Sequence, residues 1–217
     1  MNSSDARQAI DWVIQYQVTP QILRPALFLD RDGTIIENVP YLSDPAKVVL
    51  IEGVVERIKA FRGRGFAIVI VTNQSGIARG LCTPDQYRAV EARVQALLGL
   101  GSIDATYACP FLPGGQGLYD VDHSWRKPSD GMLRAAAADL NLDLSRSIMV
   151  GDSFADMSAG ARAGVACLVH VLSGHGEAER NIVAQTFGDE DPERSGHSLL
   201  LVDTLADLDP TRLPTHS

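Results

Sequence analysis

The sequence predicts an α/β fold: a doubly wound, mainly parallel sheet with helices on both faces and no large cap domain. Three observations predict it. From Ala26 onward, short apolar runs alternate with segments of helical period, the pattern of βαβ crossovers whose parallel strands are covered on both faces. Two of these runs, Ala26-Leu27-Phe28-Leu29 and Ile148-Met149-Val150, end in acidic clusters, Asp30-Arg31-Asp32-Gly33-Thr34 and Gly151-Asp152-Ser153-Phe154-Ala155-Asp156. Helix punctuation supports the boundaries: Gly63, Gly65 and Gly164 stand where left-handed C-caps are wanted, and Pro84 suits a first helical turn.

Taken in order, residues 5–18 put Ala6, Ile10, Val13, Ile14 and Gln17 on one helical stripe behind Ser4, a good N-cap, so 1–24 reads as an N-terminal helical extension. The main domain, 25–209, then alternates strand 26–30, helix 53–62, strand 66–72, helix 84–98, strand 103–109, helix 130–140, strand 147–152, helix 155–163 and strand 165–171. Residues 177–195 are polar and charged and read as a loop or weak helix before a last strand, 199–202; residues 210–217 form a flexible tail. No insertion of domain size separates the strands, so any lid is short: the flap 37–47, with Pro40 and Pro45, and the glycine-rich rim loop 112–125.

Bulk composition narrows the partners. A chain of 217 residues with 45% hydrophobic and 21% charged residues suits one domain with a small appendage. The formal net charge of -8 disfavours a nonspecific grip on nucleic acid or on an anionic membrane and points to a small-molecule partner. The three cysteines, Cys82, Cys109 and Cys167, are odd in number and lack CxxC spacing, which suits a reducing compartment. With no secretory signal and no apolar run of membrane-spanning length, the expectation is a cytoplasmic monomer.

The chemistry follows from the strand ends. Four carboxylates at the carboxyl edge of one sheet, where open α/β folds bind ligands, repel one another unless a cation neutralises them. The hard, oxygen-preferring ion for that task is Mg²⁺, which works with phosphate substrates. Asp30, anionic at neutral pH with a free pKa of about 3.9, can attack phosphorus, and Asp32 beside it can protonate the leaving oxygen and later deprotonate water; solvated charges on an Asp-Gly turn are the plainer alternative. Thr72-Asn73-Gln74-Ser75-Gly76 offers a hydroxyl and backbone N–H groups to a phosphate, or is an ordinary capped turn. Arg126-Lys127-Pro128 places two cations before a helix: Lys127 suits a point charge and Arg126 a bidentate hold on a second phosphate or a carboxylate, unless both are a surface pair. Asp152 is a candidate metal ligand, with Asp156 nearby in a first or outer ring of contacts, or merely a first-turn helix acid.

This order of motifs resembles the haloacid dehalogenase-like (HAD) phosphohydrolases, with their Rossmann-like sheet, over about residues 26–171. Within that superfamily, Phe28-Leu29-Asp30-Arg31-Asp32-Gly33-Thr34, Val71-Thr72-Asn73-Gln74-Ser75-Gly76-Ile77-Ala78-Arg79-Gly80 and Arg126-Lys127-Pro128 resemble the capless D-glycero-D-manno-heptose 1,7-bisphosphate phosphatases and their histidinol-phosphatase relatives. The resemblance implies Asp30 as nucleophile through an aspartyl-phosphate and Asp32 as general acid/base. Mg²⁺ would lie between the Asp30 carboxylate, the Asp32 backbone carbonyl and Asp152, while Thr72 and Lys127 hold the phosphoryl group. Asn38, Val39, Pro40, Tyr41, Asn73, Gln74, Ser75 and Arg126 would line the substrate side. Ser153 departs from a lysine common among relatives. The family's structural zinc is not expected: where four ligands would stand, the sequence reads Cys109, Phe111, His123 and Trp125, leaving two of the four a closed site requires. The rim loop should then be held by packing of Phe111 and Trp125, with His123 an ordinary loop histidine. The leading substrate is the 7-phosphate of the heptose bisphosphate. Alternatives are histidinol phosphate or another sugar phosphate, a non-catalytic regulator that binds a phosphometabolite, and repair of nucleic-acid 3′-phosphate ends, which the net charge disfavours.

Overall fold

The computed structural model describes residues 12–16, 22–188 and 196–211. Among these residues, seven strands form one sheet: β1 (Val13–Gln15), β2 (Ala26–Leu29), β3 (Ala67–Asn73), β4 (Ala105–Cys109), β5 (Ile148–Gly151), β6 (Cys167–Val171) and β7 (Ser198–Val202), in the spatial order β1-β4-β3-β2-β5-β6-β7. All neighbours run parallel except β1, which lies antiparallel to β4 with Val13 opposite Tyr107. The chain steps outward from β2 through β3 to β4, then returns to the other side of β2 for β5. The topological switch point therefore falls between β2 and β5, where sheets of this kind open a crevice.

Among the described residues, six α-helices connect the strands: α1 (Val54–Gly63), α2 (Ser75–Ala78), α3 (Pro84–Leu98), α4 (Gly131–Leu140), α5 (Phe154–Ala163) and α6 (Gly176–Phe187). Side-chain alternation in the buried strands feeds two cores. Leu27, Leu29, Ile68, Ile70 and Val150 pack with Val54, Ile58 and Phe61 of α1 and with Val90, Val94 and Leu98 of α3. Ala26, Phe28, Val69, Val71 and Met149 pack with Met132, Leu133 and Ala136 of α4, Met157 and Ala159 of α5 and Val183 of α6. The central strands β2 and β5 thus read as continuous apolar runs, as strands covered on both faces must.

The structure departs from the sequence expectation at three elements. Residues 13–15, expected in a helix, are a strand whose ladder to β4 is set by tertiary pairing; the rest of the predicted stripe lies outside the described residues. The polar segment after β6 begins with a true helix, α6, which buries only Gly176 and Val183 and so carries little apolar period. Gly63 is the last residue of α1, and the left-handed position falls two residues later at Gly65. No separate cap domain interrupts the strands among the described residues.

Candidate active site

Asp30 follows β2 directly, its backbone N–H donating to Val150 O at 2.9 Å, so the carboxylate emerges beside the end of β5. Asp152 follows β5 in the same way. Asp156 stands at the third position of α5, where it forms a capping box with Ser153: Ser153 Oγ and N–H both donate to Asp156 Oδ2, at 2.6 and 3.1 Å. Carboxylate oxygens of Asp30, Asp152 and Asp156 lie within 4.8 Å of one another, and all three residues are buried.

Lys127 reaches this cluster from the loop before α4. Its ammonium donates to Asp30 Oδ1 at 2.6 Å, Asp156 Oδ1 at 2.5 Å and Val71 O at 2.8 Å. Asn73 pins the lysine backbone reciprocally, donating to Lys127 O at 3.0 Å and accepting from Lys127 N at 3.1 Å. Gln74 joins two more of the predicted residues, donating through Nε2 to Asp32 Oδ2 and Thr72 Oγ1, both at 2.9 Å.

The electrostatics follow from the crowding. Burial pushes the Asp30 carboxyl well above the ordinary carboxylate range; Lys127 opposes this, while Asp156, Asp152 and Asp32 add to it. Burial, then Asp156, raises Asp152 to about 6, against the pull of His175. For Lys127, burial works against the charge, but Asp156 and Asp30 outweigh it and hold the ammonium above its ordinary value. The three clustered carboxylates, met by one ammonium, form an all-oxygen donor set with charge left to neutralise, which fits a hard divalent cation such as Mg²⁺.

A cavity of about 460 Å³ opens over this cluster. Asp30, Asp32, Thr72, Lys127, Asp152 and Asp156 form its floor and walls, and the flap residues Asn38, Val39, Pro40 and Tyr41 together with Asn73, Gln74 and Ser75 complete it. Arg126 is the exception. It does not line the cavity, and its Nη1 donates instead to Phe111 O of the rim loop at 3.4 Å.

Sequence reasoning missed His175 and Glu179. His175 N–H donates to Asp152 Oδ2 at 2.7 Å and its Nδ1 lies 3.2 Å from the same oxygen, while Asn38 Nδ2 approaches the ring at 3.3 Å. Glu179 accepts from Phe154 N and so ties α6 to the start of α5. The turn that carries His175 packs on the first acidic motif: Ser173 Oγ donates to Gly33 O at 2.6 Å. A Cβ built on Gly174 would meet Asp152 Oδ2 at 2.0 Å, and one on Gly33 would meet it at 2.4 Å. The apolar strand running into Ser173-Gly174-His175-Gly176 repeats the strand, glycine, helix pattern of the other site segments, and was the available signal.

The rim loop is held by aromatic packing. Phe111 stacks on His123 at 4.5 Å between centroids, and Trp125 meets His123 and Tyr107 edge-on at 5.8 and 5.6 Å. His123 is thus a buried member of this cluster, its Nδ1 accepting from Trp125 N at 3.1 Å, rather than an ordinary loop histidine. Cys109 Sγ turns to Phe111 O at 3.9 Å.

Comparison with known proteins gives concordant matches. A family model described as haloacid dehalogenase-like hydrolase matches residues 41–164, and a HAD-hydrolase-like model matches residues 124–207. The D-glycero-beta-D-manno-heptose-1,7-bisphosphate 7-phosphatase of Mesorhizobium japonicum is 48% identical over 145 residues, 65% of this chain and 67% of that one. The enzyme of the same name from Haemophilus ducreyi is 37% identical over 174 residues, covering 76% of this chain and 96% of its own. Among solved structures, the D,D-heptose 1,7-bisphosphate phosphatase of B. bronchiseptica, complexed with magnesium and phosphate, superposes with a TM-score of 0.67 at 31% identity, over 84% of this chain and 94% of that one.

Proposed function

The chain belongs to the haloacid dehalogenase-like hydrolase family, and on that premise we propose that it is a Mg²⁺-dependent phosphomonoesterase that removes the 7-phosphate of D-glycero-D-manno-heptose 1,7-bisphosphate. The observation that carries this reading is the Lys127 ammonium bridging Asp30 and Asp156 with Asp152 within 4.8 Å, at the floor of a cavity open to a small ligand. The substrate assignment is supported by the relatives' own activity and by the motifs shared with them.

Asp30 is the nucleophile. Its carboxylate oxygen bonds to phosphorus as the bond from phosphorus to the sugar oxygen breaks, and Asp32 delivers a proton to that departing oxygen. Asp32, now a carboxylate, takes a proton from water; the water oxygen attacks phosphorus, inorganic phosphate leaves, and the Asp30 carboxylate is regenerated. Lys127 and the Thr72 hydroxyl hold the phosphoryl oxygens, so that charge spreading over them meets groups already in place. Asp30, Asp152 and the Asp32 backbone carbonyl would hold Mg²⁺. When bound, the ion supplies the positive charge that keeps Asp30 ionised and offsets the phosphoryl oxygens. The free, buried thiols of Cys82, Cys109 and Cys167 support a cytoplasmic setting, and no helix among the described residues is long and apolar enough to cross a membrane.

A phosphate-release panel tests the assignment. With Mg²⁺, kcat/KM is expected to be highest for the heptose 1,7-bisphosphate, followed by histidinol phosphate and simple sugar phosphates, and activity should vanish reversibly in excess EDTA. A higher value for histidinol phosphate would reassign the substrate, and no release from any ester would leave a binding protein.

A further inference from the structure

Between the two aspartates of the first motif stands an arginine that does not face solvent. Arg31 is 1% exposed. Its guanidinium folds back on its neighbour, with Nε 3.1 Å from Asp32 Oδ2 and Nη2 2.9 and 3.2 Å from Oδ2 and Oδ1. The other side of the group faces α3: the guanidinium lies 5.5 Å from the centroid of the Tyr87 ring, and Nη1 is 3.8 Å from Glu91 Oε2. Tyr87 and Glu91 are four residues apart, one above the other on a single helix face.

Glu91 is itself fully buried. Its Oε1 accepts from Thr106 Oγ1 of β4 at 2.7 Å and from Gln95 Nε2 at 3.1 Å, so it is fixed from the sheet and from its own helix. Burying two charged side chains costs several kcal/mol per ion before pairing, and a solvated Arg31 would avoid that cost. The geometry instead spends the burial on one outcome. Both oxygens of Asp32 are held by a rigid fork, Gln74 adds a third donor, and the side chain keeps 24% exposure toward the cavity.

We propose that Arg31 and Glu91 are positioning residues for proton transfer: Glu91 anchors the guanidinium, and the guanidinium fixes the Asp32 carboxyl in the orientation from which it hands a proton to the departing oxygen. This rests on the reading of Asp32 as general acid. It predicts a dependence on the leaving group that loss of packing alone would not produce, because an alkoxide needs the proton and a nitrophenolate leaves without it.

The test compares the first turnover of the Mg²⁺-loaded enzyme on the sugar phosphate, by rapid quench, with the nitrophenolate burst from p-nitrophenyl phosphate. Glu91→Gln keeps the shape and removes the charge; Arg31→Lys keeps the charge and removes the fork. Each is expected to slow the alkyl first turnover by about thirty-fold, a part of the roughly 10²–10⁴-fold that general acid catalysis supplies, while the aryl burst rate stays within about three-fold. If Glu91→Gln disturbs folding, Arg31→Lys carries the comparison. Equal loss on both esters, or no loss on either, would overturn the proposal. Asp32→Asn is the control: if it too slows both esters equally, the assignment of Asp32 fails, whereas a selective loss in Asp32→Asn without one in the other variants rejects the Arg31 and Glu91 proposal alone.

Discussion

Asp30 is asked to be buried and charged at once. Its partners in the protein do not settle that conflict, since Lys127 is shared with Asp156 and burial outweighs the lysine. Asp30→Asn removes the nucleophile while leaving Lys127 its bonds to Asp156 and Val71 O. Phosphate release is expected to fall by about 10⁴-fold or more with the melting transition retained, and a rate near that of the parent would remove Asp30 from the mechanism. A second residue-scale outcome concerns Gly174, whose φ is +64° and whose missing Cβ makes room for the Asp152 carboxylate. Gly174→Ala must strain the turn and push Asp152 aside. It is expected to cost more than about 1 kcal/mol in urea unfolding and to weaken Mg²⁺ binding measured by calorimetry; an unchanged Mg²⁺ affinity would show that the turn does not position Asp152.

At the scale of elements, the strands and helices that bear the motifs were legible because each acidic or hydroxyl-bearing cluster closes an apolar run, and a buried strand leaves few other places for a polar residue. Two elements were not. β1 has three residues, and its apolar spacing fits a helix as well as a strand until β4 lies beside it. The helix α6 presents so little apolar surface that its sequence reads as loop or weak helix, which hid His175 and its contact with Asp152, twenty-three residues away. Arg126 differs from both: its chemistry suits a phosphate, yet its guanidinium lies outside the cavity lining, where it meets Phe111 O of the rim loop. That loop supplies the element-scale prediction. Trp125 is buried among Tyr107 and His123, so Trp125→Ala should cost about 3 to 5 kcal/mol in chemical denaturation. A zinc-selective chelator should leave the parent's stability unaltered; a drop would place a metal in the loop.

For the molecule as a whole, residues 30, 72 and 152 converge because parallel strands align their carboxyl ends, a consequence the alternating pattern already contains, and Lys127 joins them from the loop between β4 and α4. The order of the strands is not written in any local window, and neither is the reversed direction of the first. β1 lies alongside β4 and uses the backbone groups that β4 would otherwise present to water. Without it, an apolar strand of Ala105–Cys109 would stand as an open template, and unprotected strands of that kind recruit other copies. A chain shortened to begin at residue 25 should therefore self-associate with rising concentration in light scattering where the full chain does not. The three residues Val13–Gln15 would then be what keeps this protein from aggregating, a task unrelated to its chemistry.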